Sequence, residues 1–295
     1  MSTNFEEVWS ERRELIEEAL KKELHEGREL DATLTKSMEY SLMAGGKRLR
    51  PILFMAAADA CGKDGRAFIT SACALEMIHT YSLIHDDLPA MDDDNLRRGK
   101  PTNHVKFGAG MATLAGDGLL TMAFEVLTRE KNIRPETILS VIREVSVAAG
   151  TSGMVGGQAI DLESEGRRID LTCLRRMHMG KTGALFRAAL RTGAILAGAS
   201  EKELAALTQY AEAFGLAFQI TDDILDVTGS EAEIGKPVGS DRRNEKSTYV
   251  TLTSLARAQE LADEAIESAL SAVEIFGEKA SFLQDLVRFL SHRRS

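Results

Sequence analysis

The sequence predicts an all-α fold, and three observations support this prediction. Only five prolines occur in 295 residues, so long intervals lack the residue that most effectively breaks helices. Apolar residues recur at helical spacing, and no segment alternates apolar and polar residues as a half-buried strand does. The sequence shows no repeat of fixed period, low-complexity linker or abrupt change of composition. We therefore expect a single helical domain over residues 1–295, with central helices buried on most sides.

The predicted helices follow one another with few turn residues between them. Residues 4–29 are rich in Glu, Lys, Arg and Leu, and apolar positions from Phe5 to Leu20 predict one buried stripe. Two glycines then interrupt the pattern. Pro51 suits the first turn of a helix that continues to Ala60 and ends at Cys61 and Gly62. Further helices are predicted at residues 67–87, 111–129, 136–147, 171–197, 201–226 and 252–276.

The composition excludes several classes of protein. A hydrophobic fraction of 44% supplies a substantial core, while a net charge of -9 argues against a nucleic-acid surface, which requires a basic face. The three cysteines are widely spaced and odd in number, so we expect reduced thiols rather than a disulfide framework or a zinc site. The sequence begins without an apolar signal core, and charges interrupt every apolar stretch before the roughly 18 residues that a spanning helix needs. A cytoplasmic protein without stable membrane insertion is expected.

Two clusters of aspartates lie in otherwise apolar surroundings. The first is in DDLPAMDDD, which begins at Asp86, and the second is in QITDDILDV, where Asp222 and Asp226 share a helical face. Like charges about 4 Å apart repel by roughly 4 kcal/mol at an effective dielectric of about 20, so such clusters need a cation. Oxygen-only ligands favour Mg²⁺ over zinc, and neither cluster has the pattern of a calcium hand. Because Mg²⁺ in proteins commonly bridges carboxylates to phosphates, the clusters indicate a diphosphate substrate; either cluster alone is also compatible with a solvated helix end.

Basic residues lie near both clusters. Arg97 and Arg98 follow the first, and Lys236 and Lys246 follow the second. The string GGKRLRP, residues 45–51, adds three more cations but lacks the spacing of a phosphate-binding P-loop. Arginine forks and lysine ammonium groups both bind phosphate oxygens, although any single one of these residues is also a typical surface side chain.

These strings resemble the motifs of trans-prenyl diphosphate synthases. LIHDDLPAMDDDNLRRGKPTNH and FQITDDILDVTG resemble the two aspartate-rich motifs of the family. GGKRLRP, EMIHTYSLIHDD, GMVGGQAIDL, KTGAL and GKPVGSDRRNEKST match in the family's order, from Gly45 to about Leu252. The resemblance is greatest to short-chain bacterial farnesyl diphosphate synthases. It implies a single polyprenyl synthase domain, an all-α bundle around a central cavity, and a homodimer.

The resemblance also implies a role for each matching residue. The carboxylates that would hold a Mg²⁺ cluster around the allylic diphosphate are Asp86, Asp87, Asp92, Asp222, Asp223 and Asp226. The residues that would bind this diphosphate or shape its pocket are Arg97, Lys181, Thr182, Gln219, Lys236 and Lys246, and Lys181 is also placed among the catalytic residues. The residues that would hold isopentenyl diphosphate are Lys47, Arg50, His79 and Arg98.

The implied reaction is the condensation of isopentenyl diphosphate with dimethylallyl and then geranyl diphosphate. Cationic groups favour departure of the allylic diphosphate, and no protein base is assigned. Tyr81 lies five residues before Asp86, roughly 7.5 Å along a helix, where the resemblance places it and Ser82 at the floor that limits product length to farnesyl diphosphate. Glycines at 150, 153, 156 and 157 fall within a predicted helical run, which indicates close helix packing, or space for substrate beside Gln158.

Four alternatives stay open at this point. A geranylgeranyl diphosphate synthase is the nearest, since the two-residue expansion Pro89-Ala90 in the first motif also occurs in such enzymes. A terpene cyclase ionises the same kind of substrate but has no use for a second diphosphate site. A non-catalytic regulatory subunit and a metal-binding structural protein are disfavoured because the aspartates and their basic partners are all present.

Overall fold

The computed structural model describes residues 3–26, 31–229 and 247–292, and these residues are almost entirely helical, which confirms the all-α prediction. The helices are α1 (Thr3–His25), α2 (Ala32–Leu42), α3 (Leu49–Ala60), α4 (Ile69–Asp86), α5 (Asn103–Phe107), α6 (Ala109–Leu127), α7 (Pro135–Ala149), α8 (Met154–Ser164), α9 (Leu171–His178), α10 (Ala184–Ala197), α11 (Glu201–Thr228), α12 (Tyr249–Leu252), α13 (Leu255–Ala272) and α14 (Ser281–His292). Two 3₁₀ segments are Gly65–Phe68 and Glu274–Ala280, and a π-helical turn is Met179–Gly183. Strands Leu96–Arg97 and Lys100–Pro101 form a small antiparallel hairpin.

Several helix ends lie where the sequence predicts them. Pro51 is in the first turn of α3, and that helix ends at Cys61, followed by Gly62 with φ +81°. A capping box between Ser200 and Glu203 begins α11, because each side chain accepts a hydrogen bond from the backbone of the other. The ends of α3 therefore lie where the sequence predicted them, and the capping box gives a physical reason for the start of α11 at Glu201.

Two predicted continuous helical regions are interrupted. The region 171–197 contains the π-helical turn Met179–Gly183 between α9 and α10. The glycine run does not lie within one helix, because α7 ends at Ala149 and α8 begins at Met154. A Cβ added at Gly153 would lie 2.1 Å from the carbonyl oxygen of Ala148, so only glycine fits this tight reversal.

The centre of the protein is built from α3, α4 and α10. Helix α4 packs against α3 and α6, while α10 packs against α3, α7 and α11. Nearly every residue of α3 is buried, and one apolar cluster extends from Phe5 of α1 to Leu290 of α14. A smaller apolar cluster lies among α9 and α11 to α13. Cys61, Cys73 and Cys173 are all free thiols, as expected.

Three helical stretches in the described part of the chain are long and apolar enough to cross a membrane, by length and composition alone. They are Gly65–Asp86, Ala109–Leu127 and Pro135–Ser164. The prediction that no apolar stretch reaches the length of a spanning helix was wrong. The prediction treated every charged residue as the end of an apolar stretch, although a spanning helix can contain one or two charges. The most apolar window of the first stretch is 61% buried inside the protein, so packing against α3 and α6 explains much of its composition.

Candidate active site

A cavity of about 910 Å³ lies between α1, α3, α4, α11 and α14. Its walls contain all four residues predicted to hold isopentenyl diphosphate, and also three residues predicted for the allylic site. These residues are Lys47, Arg50, His79 and Arg98, and Thr182, Gln219 and Asp222. The fold therefore brings together positions that are up to 175 residues apart in the sequence (222 minus 47).

The turn before α3 presents the first of these cations. Gly45, Gly46 and Arg48 have φ values of +84°, +128° and +49°, so three of four consecutive residues lie in or near the left-handed region. A Cβ added at Gly46 would be 2.6 to 2.7 Å from the guanidinium of Arg98. Glycine at this position therefore allows Arg98 of the hairpin to pack against the turn that carries Lys47.

Burial determines the charge state of two residues in this wall. Burial lowers the pKa of Arg50 to about 10, with Glu76 acting in the opposite direction, so Arg50 stays protonated at neutral pH. Its guanidinium lies 5.0 Å from the ring centroid of Phe186, a cation–π distance. Burial, together with the charge of Arg50, holds the pKa of His79 well below its usual range. His79 is therefore neutral at pH 7, able both to donate and to accept a hydrogen bond.

The first aspartate motif lies at the end of α4. The chain reverses there, and the backbone N–H of Asp92 donates to the carbonyl of Asp86 at 2.8 Å. Burial raises the pKa of Asp86 to about 6, against the lowering influence of Lys181. Asp87 is 3% exposed, and its carboxylate accepts hydrogen bonds from Nε and Nη2 of Arg97 at 2.5 to 2.9 Å.

Lys181 faces this motif from the π-helical turn. Its Nζ donates to Asp161 of α8 at 2.6 Å, and the charges of Asp86 and Asp92 also act on it. Although burial lowers the pKa of Lys181, these acids raise it more. The turn approaches α8 closely, since a Cβ added at Gly157 would lie 2.0 Å from the backbone nitrogen of Lys181. This contact confirms the close-packing interpretation of the glycine run.

The second aspartate motif lies near the end of α11. Asp222 lines the cavity one turn after Gln219. Asp223 is 7% exposed, and one of its oxygens accepts a hydrogen bond from the backbone N–H of Tyr249 at 2.7 Å. Asp226 is 2% exposed. The two lysines predicted to follow this motif, Lys236 and Lys246, lie outside the described residues.

Within residues 3–26, 31–229 and 247–292, no group of three or more carboxylate, imidazole or thiol side chains lies close enough to hold a metal ion. The carboxylates of the two motifs are nevertheless hard oxygen donors, and Asp86 lies in an environment that disfavours its own charge. This donor set fits Mg²⁺, which commonly takes only one or two protein carboxylates and completes its shell with phosphate oxygens and water.

The two residues predicted to set product length lie on the middle turns of α4. Tyr81 is 5% exposed, and its ring packs edge-on against His85 with centroids 5.7 Å apart. His85 is fixed in turn, because its Nε2 lies 3.0 Å from the carbonyl oxygen of Thr113 and its ring occupies the space above Gly116. The hydroxyl of Ser82 donates to the carbonyl of His79 at 2.8 Å.

The sequence analysis missed several residues of the site. Trp9, Arg13 and Phe289 line the cavity from α1 and α14, and no local motif marks them. Glu76 also lines it and is only 2% exposed. A single acid inside the apolar segment CALEMIHTY was a signal that could have identified Glu76 from the sequence.

Known proteins share both this fold and its sequence. The family model described as polyprenyl synthetase matches residues 31–282. The chain is 47% identical over 292 residues to the farnesyl diphosphate synthase of Geobacillus stearothermophilus, covering 97% of this chain and 98% of that protein. It is 45% identical over 287 residues to the geranylgeranyl diphosphate synthase of Cyanophora paradoxa, covering 97% and 95%. The apo crystal structure of an FPP/GFPP synthase from Zymomonas mobilis matches with a TM-score of 0.87 at 37% identity, covering 98% of this chain and 99% of that chain.

The fold is accordingly the all-α fold of isoprenoid synthases. The chain belongs to the polyprenyl synthetase family, whose members are prenyltransferases.

Proposed function

We propose that this protein condenses isopentenyl diphosphate with dimethylallyl diphosphate and then with geranyl diphosphate, giving farnesyl diphosphate. One observation carries the proposal: the cationic residues of the GGKRLRP turn and Asp222 of the second aspartate motif line the same cavity. The cationic side suits a diphosphate that binds without metal, and the acidic side suits a diphosphate that arrives with divalent cations. A protein that binds two diphosphates in one cavity is equipped for condensation rather than cyclisation.

We propose that Mg²⁺ is held by the aspartates of both motifs together with the allylic diphosphate. The carboxylates are Asp86, Asp87, Asp92, Asp222, Asp223 and Asp226. Asp86, Asp92 and Asp222 are the more accessible members, while Asp87 and Asp223 already accept hydrogen bonds from protein donors. Bound Mg²⁺ supplies Lewis-acid stabilisation of charge that develops on the departing diphosphate.

The protein's own groups contribute to the same step. Lys181 and Arg97 place positive charge beside Asp86 and Asp87, where the allylic diphosphate is proposed to lie, and stabilise the leaving group as the allylic carbon–oxygen bond breaks. Lys236 and Lys246 are proposed to bind the same diphosphate. Thr182 and Gln219 line the cavity and are proposed to bind the same diphosphate or to shape its pocket.

Isopentenyl diphosphate is proposed to bind through Lys47, Arg50, His79 and Arg98. These residues bind the diphosphate and thereby hold the double bond next to the allylic carbon. Much of the translational and rotational entropy of the two substrates is then lost when they bind, and less remains to be lost in the transition state. The double bond attacks that carbon, diphosphate leaves, and a proton is lost from the isopentenyl unit. The departing diphosphate is the proposed proton acceptor, because it already lies at the reacting carbon atoms, and no protein residue is assigned as the base.

The experiment that tests this proposal is product analysis by mass spectrometry. Purified protein is incubated with Mg²⁺, isopentenyl diphosphate and, in separate reactions, dimethylallyl, geranyl or farnesyl diphosphate. A fifteen-carbon end product from the first two supports the proposal. Absence of condensation with every partner refutes it, and a twenty-carbon end product moves the assignment to geranylgeranyl diphosphate synthesis, which one of the relatives catalyses according to its name.

Product length is proposed to depend on Tyr81 and Ser82. Tyr81 is buried at the level of α4 from which the prenyl chain would extend, and the His85 contact restricts its movement. Replacing the ring by a methyl group in Tyr81→Ala removes that barrier. We expect products of twenty carbons or more from the variant, whereas unchanged fifteen-carbon product would show that another residue limits the chain.

We further propose that residues 1–295 form one catalytic domain that works in the cytoplasm as a homodimer. Helices α6 and α7 expose large apolar side chains, with Leu114 55%, Leu139 65% and Val147 46% accessible, as expected of a surface that a second copy covers. Sedimentation velocity should give a dimer for the native protein and a monomer for Leu139→Asp. Cell fractionation tests the location, and recovery in the membrane pellet would contradict it.

A further inference from the structure

Arg48 is a buried cation in an unusual backbone conformation. Its side chain is 1% exposed, and its φ of +49° is in the left-handed region, which is strained for a residue with a Cβ. It lies between Lys47 and Arg50 in the sequence, and it precedes the first residue of α3. Such strain persists only where surrounding contacts determine the conformation.

Those contacts come from three helices. The guanidinium of Arg48 donates from Nε to Glu17 of α1 at 3.1 Å, from Nη2 to the carbonyl of Leu42 at the end of α2 at 2.7 Å, and from Nη1 to Glu76 of α4 at 2.9 Å. Each donor nitrogen uses a different acceptor, so the planar fork fixes the position of the turn against all three helices at once. A lysine ammonium has one nitrogen and cannot match this geometry.

Glu76 links Arg48 to the cavity. It is 2% exposed, it lies one turn before His79 on α4, and it lines the cavity together with Arg48. Its Oε1 accepts from Arg48, while its Oε2 is buried without a hydrogen-bond partner among the described residues. The Nε of Arg50 is likewise buried without such a partner in the described part of the chain. A buried donor and a buried acceptor thus stand unsatisfied in the wall of the same cavity.

We propose that Arg48 and Glu76 are positioning residues for the isopentenyl diphosphate site. Arg48 locks the left-handed turn so that Lys47 and Arg50 both present their charges to the cavity. Glu76 accepts a hydrogen bond from the Arg48 guanidinium and lies one turn before His79 on α4. It therefore fixes the position of the turn that carries Lys47 relative to His79. This inference rests on the proposed function, because it assumes that the cations of this wall bind isopentenyl diphosphate; it adds two residues that need not touch the substrate.

The test compares Arg48→Lys and Glu76→Gln with the native protein. Binding of isopentenyl diphosphate alone is measured by isothermal titration calorimetry, and steady-state kinetics give separate KM values for isopentenyl and geranyl diphosphate. For Arg48→Lys we expect both the Kd and the KM for isopentenyl diphosphate to rise at least tenfold. The KM for geranyl diphosphate and kcat should change less than threefold. For Glu76→Gln, which keeps the side-chain shape but weakens the bond to Arg48, we expect a three- to tenfold change in the same direction.

The matched control is Arg191→Lys. Arg191 also makes three hydrogen bonds from its guanidinium, two to Glu144 and one to Thr208, but it does not line the cavity. This control should lower the melting temperature while leaving the affinity for isopentenyl diphosphate unchanged. An equal loss of affinity in the control would reveal general loosening and overturn the inference.

Two further results would also overturn it. Unchanged affinity of Arg48→Lys for isopentenyl diphosphate would show that the conformation of the turn before α3 does not depend on the Arg48 guanidinium. Tighter binding in Glu76→Gln would show that Glu76 acts only as a negative charge among cations. Failure of the proposed function is recognised separately, since native protein would then bind no isopentenyl diphosphate or would condense it with no allylic partner.

Discussion

Replacing Gly157 by alanine should damage catalysis through Lys181, although Gly157 itself carries no functional group. The added Cβ would lie 2.0 Å from the backbone nitrogen of Lys181 and 2.6 Å from the backbone carbon of Gly180. Ordinary contact begins at 3.4 Å, so the π-helical turn and α8 must separate by about 1.4 Å (3.4 minus 2.0). The Lys181 to Asp161 bond of 2.6 Å spans the same junction and cannot survive such a shift unchanged.

Overpacking of this kind costs about 1–3 kcal/mol of folding free energy, and a displacement of about 1 Å at a reacting site can cost about a hundredfold in rate. We therefore expect kcat/KM with geranyl diphosphate to fall by about two orders of magnitude, with a lower melting temperature. The control is Gly118→Ala in α6, where the added Cβ would meet the flexible thioether of Met38 at 3.2 Å. That variant should keep its activity. Native-like kinetics and melting in Gly157→Ala would refute the reasoning.

Two further predictions concern the cationic wall. Gly46→Ala should displace the Arg98 guanidinium and raise KM for isopentenyl diphosphate at least tenfold in steady-state kinetics, whereas Gly45→Ala, which shares the positive φ but has nothing within 4 Å, should not. Because the pKa of His79 is lowered in the folded protein, the unfolded chain binds a proton at this residue below about pH 6.5 and the folded protein does not. Protonation therefore favours the unfolded chain, and the free energy of unfolding decreases as the pH falls. Urea unfolding should therefore show that the free energy of unfolding of the native protein falls between pH 7.5 and pH 5.0. This fall should exceed the fall for His79→Gln by up to about 2 kcal/mol. An equal fall in the two proteins would contradict a neutral His79.

Helices α4 and α11 are two of the helices whose ends lie within two residues of the predicted ends. Residues 67–87 were predicted as helical, and α4 occupies Ile69–Asp86. Residues 201–226 were predicted, and α11 occupies Glu201–Thr228 behind its capping box. The π-helical turn Met179–Gly183 was not predicted, because no local pattern marks it. It lies where the glycines at 157 and 180 allow two backbones to approach each other.

The candidate site divides in the same way. Asp86, Asp222 and Lys47 stand in strings with recognisable spacing, so their chemistry was predicted from the sequence. Trp9 and Phe289 stand in helices with no diagnostic spacing and join the cavity only because the first and last helices pack together. Their role could not be predicted from local sequence.

The sequence by itself determined the helical fold class, the two carboxylate clusters and the cations available for diphosphate, because helical periodicity and motif spacing are properties of neighbouring residues. Only the tertiary structure decided which of these groups share a cavity and which are already engaged, as Asp87 is by Arg97 and Lys181 is by Asp161. The same is true of Arg48, which the sequence presents as one more basic residue and the fold buries among three helices. The physical reason is that burial, ion pairing and pKa depend on the distances between residues far apart in the chain, which packing alone determines.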